Sequence, residues 1–169
     1  MDLKRVTIPA TGAVIAYDAA GPKEAPGLLL IPGGGGEARA STFASIWERF
    51  TDSYRVVIVE GRGAPLADKG PEGFTTADMA RDYVGLLDIL GVDRTYVMGG
   101  SLGSMIGQHV CADLGSRLLG AVLFIAGPGG SPFCAQLTSH LSRVAMTDFR
   151  EYLLGAFIYN VAGIPVAAG

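Results

Sequence analysis

Short apolar runs alternate with amphipathic segments along most of the chain. Four runs are largely apolar, as expected of strands that are covered on both faces, and they occupy residues 27–31, 54–59, 95–98 and 119–125. Segments with apolar residues at helical spacing lie between them, at residues 42–50, 75–90 and 104–114. Strands and helices that alternate in this order predict βαβ units and a parallel sheet over residues 27–130.

Local signals predict two further strands at the N-terminus and the start of one helix. Residues 5–8 and 14–17 flank the turn signal Thr11-Gly12, an arrangement typical of an antiparallel hairpin ahead of the parallel sheet. The helix at residues 75–90 begins with Thr75 as a cap and has an acidic residue in its first turn. We therefore expect an α/β fold with a mostly parallel sheet and an antiparallel N-terminal hairpin.

The pattern changes after residue 130. From there on it is helical only, with candidate helices at residues 134–145 and 148–159. We expect residues 1–130 to form an incomplete core that stops after the sixth strand. Residues 131–169 are expected to form a helical segment that resembles a cap or lid.

Composition narrows the function classes. The chain has 169 residues, which suits one domain, and a formal net charge of −3 without a basic cluster, so nothing indicates nucleic-acid binding. Cys111 and Cys134 are isolated and suit reduced thiols, and no metal-ligand spacing of His and Cys appears. The N-terminus lacks the apolar core of a signal peptide, and the uncharged run at 152–169 contains Pro165. These features predict a cytoplasmic protein without a membrane or metal partner.

The most informative motif follows the strand at residues 95–98. Gly99-Gly100-Ser101-Leu102-Gly103 has the spacing Gly-x-Ser-x-Gly between a strand and a helix. A serine on so tight a turn must adopt strained dihedral angles, and a Cβ at either outer glycine would collide with the adjacent strand or helix. The Ser101 hydroxyl would then stand clear of the backbone at a helix N-terminus, where the dipole favours a developing anion.

Two glycine-bearing strand ends complete a family pattern. Residues 31–35 read Ile-Pro-Gly-Gly-Gly, and residues 60–63 read Glu-Gly-Arg-Gly. In this order, and followed by the Ser101 turn, the chain resembles the α/β-hydrolase family from the leading hairpin to about residue 130. The resemblance implies a three-layer sandwich, truncated here after the sixth strand. Pro32 stands where the family usually has a histidine.

The resemblance also implies a chemistry. Ser101 would attack a carbonyl carbon and form an acyl-enzyme. The negative oxygen would be held by the backbone N–H of Leu102 and by that of Gly34, with Gly35 as the alternative to Gly34. Residues 99–104 resemble prolyl iminopeptidases, and residues 101–108 resemble enol-lactone hydrolases and cofactor-free peroxidases. A small-molecule ester, lactone or amide substrate is therefore expected, with no cofactor.

The sequence offers no recognisable base for Ser101. The family places its acid and histidine after later strands, past the end of this sequence. His109 lies on the order of 12 Å along the helix from Ser101 and is expected to be a packed or half-exposed helix residue. His140 is predicted to be a helical surface residue, and Asp148 and Glu151 fit a helix N-terminus.

Three explanations for the missing base stay open. The chain is a piece of a longer hydrolase, which we favour, or a natural short form that no longer catalyses, or a partner chain supplies the base. An open parallel sheet edge behind an apolar terminus favours self-association.

Two other function classes compete. Gly33-x-Gly35-x-x-Ala38 follows a strand and precedes a helix, and Glu60 closes the next strand, as in a dinucleotide-binding domain. The leading hairpin and the Ser101 turn argue against that class, which NADH binding would support. A non-catalytic binding module with a hydrolase fold is the other alternative, and it predicts weak or absent covalent labelling of Ser101.

Overall fold

The computed structural model describes residues 2–33 and 40–124. The strands in these residues are β1 Lys4–Thr7, β2 Val14–Ala20, β3 Gly27–Ile31, β4 Arg55–Glu60, β5 Thr95–Gly100 and β6 Leu118–Phe124. The α-helices are α1 Ala44–Phe50, α2 Thr76–Ile89 and α3 Leu102–Leu114, and 3₁₀ turns occupy Ala40–Phe43 and Gly115–Arg117. The order of elements confirms the predicted alternation of strands and helices.

One six-stranded sheet has the spatial order β1-β2-β4-β3-β5-β6. The β1–β2 and β2–β4 pairs are antiparallel, whereas β3–β4, β3–β5 and β5–β6 are parallel. The predicted hairpin is therefore confirmed, and β2 is longer than predicted because its second half pairs with β4. The predicted self-association through an open edge stays a prediction.

Helices cover both faces of the sheet. Alternate residues of β3 contribute to opposite sides, with Leu29 and Ile31 in the core beneath α2 and α3. Leu28 and Leu30 lie in a second core with Trp47 of α1. All five residues of β3 are buried, which explains their continuously apolar character. The result is a three-layer α/β sandwich, as predicted.

Helix α2 begins where its cap predicts. The Thr75 side chain accepts a hydrogen bond from the Asp78 N–H, and an Asp78 carboxylate oxygen accepts one from the Thr75 N–H at 2.8 Å. The hydrogen bond from the Thr75 hydroxyl lowers the pKa of Asp78. Gly91, just past the helix, has a positive φ of 67°.

The predicted boundary at residue 130 and the predicted segment 131–169 lie outside the described residues. Within residues 2–33 and 40–124, no helix combines the length and the apolar character that a membrane span requires.

Candidate functional site

Ser101 occupies a strained turn between β5 and α3. Its φ of 54° and ψ of −123° make it the one non-glycine residue with positive φ among residues 2–33 and 40–124. Such a conformation costs about 1–3 kcal/mol and persists only where the surrounding structure imposes it. The side chain is exposed at the N-cap of α3. The strand–turn–helix geometry and the strain predicted for Ser101 are therefore both present.

The glycines on either side of Ser101 allow this turn because backbone approaches them closely. A Cβ on Gly99 would collide with the Gly103 carbonyl, and a Cβ on Gly103 would collide with the carbonyls of Ile31 and Pro32. The first turn of α3 therefore packs directly against the end of β3. Both predicted collisions are confirmed.

Replacing Ser101 with glycine should stabilise the fold. Glycine adopts positive φ without a Cβ penalty, so Ser101→Gly is expected to raise the free energy of unfolding by about 1 kcal/mol after the extra entropy of the unfolded glycine is subtracted. Urea denaturation measures the change. Ser101→Ala is the control, because it removes the same hydroxyl and keeps the strain; equal stability of the two variants would contradict a strained Ser101.

The glycine-rich segment begins against Ser101. An ideal Cβ on Gly33 would lie 3.2 Å from Ser101 Cβ and 3.8 Å from Ser101 Oγ. Gly34 and its alternative Gly35, the predicted oxyanion donors, lie outside the described residues. The sequence analysis assigned Gly33 only to the glycine run and to the dinucleotide-binding pattern and did not predict its position against Ser101, although its place at the head of the glycine run was the available signal.

Leu102 places a backbone donor next to Ser101. It is the first residue of α3, where an N–H has no intrahelical acceptor. Its N–H has no backbone acceptor in the described part of the chain. The Ser101 carbonyl, in contrast, accepts a hydrogen bond from the Ser104 N–H at 2.9 Å. The positive end of α3 therefore lies at the Ser101 turn.

Ser104 is a residue that the sequence analysis missed. It is fully buried in the first turn of α3. Its Oγ lies 2.6 Å from the carbonyl oxygen of Phe124 and 3.0 Å from that of Gly99. Ser104 lies three residues before Gly107 and six before Val110, at the spacing of the buried face of α3, and a hydroxyl on that face was the signal that could have identified it.

The loop after β4 is held by a buried ion pair. Arg62 Nε lies 2.7 Å from one Asp82 carboxylate oxygen, and Arg62 Nη2 lies 3.0 Å from the other. The Thr11 hydroxyl donates to the same carboxylate at 2.6 Å. The hydrogen bond with Asp82 raises the pKa of Arg62. This network links the loop to α2 and to the hairpin turn.

Asp82 could have been identified from its position. It lies three residues after Met79 and four before Leu86, so it shares the buried face of α2 with both. A carboxylate on such a face requires a partner.

Glu60, at the end of β4, is also buried. Its carboxylate accepts a hydrogen bond of 3.4 Å from the N–H of Ala40, in the 3₁₀ turn before α1. The dinucleotide-binding alternative requires this carboxylate to face a ribose. The structure gives it a partner inside the protein instead.

The histidines do not complete the site within the described residues. His109 is exposed on α3, more so than predicted, because it lies outside the buried face of the helix, which includes Gly107 and Val110. His140, Asp148 and Glu151 lie outside the described residues. Cys111 is a free, half-buried thiol, and burial raises its pKa to about 11, so it is protonated at neutral pH.

Comparison with known sequences identifies a family model and several relatives that this chain matches. The sequence model of the alpha/beta hydrolase fold matches residues 26–156. The chain is 31% identical over 108 residues to a putative carbamate hydrolase RutD from Variovorax paradoxus, an alignment that covers 63% of this chain and 40% of the relative. It is 37% identical over 81 residues to a homoserine O-acetyltransferase from Thermus thermophilus, covering 48% of this chain and 21% of the relative.

Solved structures agree with this assignment. A hydrolase from Pseudomonas aeruginosa PA01 superposes with a TM-score of 0.69 at 27% identity, over 85% of this chain and 52% of that one. An alpha/beta hydrolase from Novosphingobium aromaticivorans superposes with a TM-score of 0.66 at 26% identity, over 85% of this chain and 50% of that one. The chain thus spans about half the length of these structures and less of the curated relatives.

Proposed function

Because the chain belongs to the α/β-hydrolase fold family, we propose that it is a serine hydrolase with Ser101 as its nucleophile. The observation that carries this proposal is the conformation of Ser101. An exposed serine is held at a φ of 54° at the start of α3, although glycine would occupy the turn with less strain. Strain of this kind is retained where a side chain must be presented to a substrate.

The proposed reaction is acyl transfer. Ser101 Oγ attacks the carbonyl carbon of a small ester, lactone or amide while its proton passes to a base. The acyl C–O or C–N bond then breaks, the leaving oxygen or nitrogen takes the proton from the base, and the acyl-enzyme forms; in a lactone this step opens the ring. Water then releases the acid. A carbamate carbonyl, bonded to both oxygen and nitrogen, belongs to the same class of electrophile, and one relative is named for carbamate hydrolysis.

The oxyanion is assigned to two backbone donors. The Leu102 N–H lies at the positive end of α3, next to Ser101. We assign the second donor to Gly34, since Gly33 lies against Ser101 and the glycine run continues from there. Each such donor contributes about 3 kcal/mol to transition-state stabilisation.

The base is the part of the machinery that the described residues do not provide, because His109 lies on the exposed face of α3. We propose that it comes from sequence outside residues 2–33 and 40–124 or from a second chain. A non-catalytic binding module with the same fold is the second candidate, and this same observation favours it.

Labelling with a fluorophosphonate separates the two candidates. We expect the reagent to form an adduct on Ser101 of the folded chain about 10³-fold faster than on serines of the urea-unfolded chain, because the oxyanion donors act even without a base. Mass spectrometry of the digested protein locates the adduct, and Ser101→Ala is the control that should carry none. Absence of the adduct in a folded chain would support the binding module, and NADH binding would support the dinucleotide alternative.

A further inference from the structure

We propose that Ser104 is a positioning residue, whose buried hydroxyl holds the end of β6 against the Ser101 turn and so fixes the nucleophile. This inference rests on the function proposed for Ser101 and deepens it. Ser104 itself does not contact substrate, because it is fully buried beneath the first turn of α3.

The carbonyl of Phe124 is the group through which Ser104 acts. It accepts a hydrogen bond from the Ser101 N–H at 3.1 Å, which extends the β5–β6 ladder by one residue beyond the paired Gly100 and Phe124. The Ser104 Oγ lies 2.6 Å from the same oxygen. A hydroxyl has one proton, and the shorter contact assigns it to Phe124 rather than to Gly99, whose oxygen is 3.0 Å away.

Ser104 therefore acts on both backbone polar groups of Ser101, its carbonyl and its N–H. Its backbone N–H donates to the Ser101 carbonyl at 2.9 Å, and its hydroxyl fixes the acceptor of the Ser101 N–H. The Phe124 side chain adds a steric limit, since a Cβ on Gly100 would lie 2.7 Å from the Phe124 Cζ. These contacts account for the strained φ of Ser101, which requires support from its surroundings.

Removing the hydroxyl should loosen the turn and leave the rest of the fold in place. Ser104→Ala removes the hydroxyl donor from the Phe124 carbonyl, so this acceptor of the Ser101 N–H is held less firmly and the Ser101 Oγ samples positions away from the attack geometry. We expect the maximal rate of fluorophosphonate labelling at Ser101 to fall about tenfold. The concentration of reagent that gives half the maximal rate should not change, because Ser104 does not touch the reagent.

Thr95 provides the matched control. It is fully buried at the other end of β5, and its hydroxyl donates to the Tyr96 carbonyl at 3.0 Å. Thr95→Val also deletes one buried hydroxyl and keeps the side-chain shape. We expect it to reduce the midpoint of urea denaturation about as much as Ser104→Ala does, while the labelling rate stays within about twofold of the unsubstituted chain.

A second measurement tests Ser104 without any need for catalysis. The exchange rate of the Ser101 amide hydrogen reports its bond to Phe124, and Ser104→Ala should raise that rate about tenfold while Thr95→Val does not. If the unsubstituted chain is not labelled at Ser101, the proposed function fails and amide exchange still tests Ser104. If Ser104→Ala and Thr95→Val give the same exchange rate at Ser101, the positioning role is wrong.

Discussion

Replacement of Asp82 with alanine is expected to lower the free energy of unfolding by about 3–5 kcal/mol. The Asp82 side chain is 0% exposed and the Arg62 side chain is 8% exposed, so the variant leaves a buried guanidinium without its carboxylate. The Thr11 hydroxyl also loses its acceptor. Urea denaturation followed by circular dichroism measures the loss.

An exposed ion pair provides the control for Asp82. Arg5 and Asp68 form a bridge of 3.2 Å, with side chains that are 60% and 50% exposed, so Asp68→Ala should cost less than about 1 kcal/mol. The double variant Arg62→Met, Asp82→Leu should recover much of the stability lost in Asp82→Ala, since it removes both buried charges. If Asp82→Ala lowers the free energy of unfolding by no more than Asp68→Ala does, then Asp82 and Arg62 do not form a buried, interdependent network.

The sequence predicted the bounds of a strand correctly where the residues of that strand themselves carry the signal. Strand β3 has the predicted bounds Gly27–Ile31, because both of its faces are covered and all of its side chains are apolar. Strand β5 continues two residues past its prediction, to Gly100. Glycine has no strand signal of its own, and pairing with Leu123 and Phe124 of β6 decides these two positions.

The same distinction between local and distant signals applies to the residues of the site. The conformation of Ser101 was predictable because the glycine spacing that imposes it is contained in five consecutive residues. The partners of Asp82 and Ser104 were not predictable. Arg62 and Asp82 are 20 residues apart, Thr11 is 71 residues from Asp82, and Ser104 is 20 residues from Phe124. Only the packing of the helices on the sheet brings these groups together.

The arrangement of strand ends gives the proposed site its position. Strand β3 lies between β4 and β5, so Gly33 after β3 and the Ser101 turn after β5 lie together at the carboxyl end of these parallel strands. Phe124 ends β6 beside them. Parallel strands thus bring Ser101, Gly33 and the Phe124 carbonyl to one place, although they come from three strand ends far apart in sequence.

The contact between this turn and β3 makes Gly103 the other position of large effect. We expect Gly103→Ala to lower the free energy of unfolding by about 3 kcal/mol or more, because its Cβ would collide with the backbone carbonyls of Ile31 and Pro32, which cannot rotate away. Urea denaturation measures the loss. Fluorophosphonate labelling of Ser101 should disappear with it.

Gly107, one turn further along α3, separates this collision from the general effect of alanine in a helix. A Cβ there would lie 2.7 Å from Leu123 Cδ2, the end of a side chain that can move. The gain of about 1 kcal/mol in helix propensity offsets most of that displacement, so Gly107→Ala should change stability by less than about 1 kcal/mol. Because both variants add one methyl group to α3, a large loss at Gly103 alone must come from the approach of the turn to β3. Equal losses at the two positions would show that this approach is not what requires glycine beside Ser101.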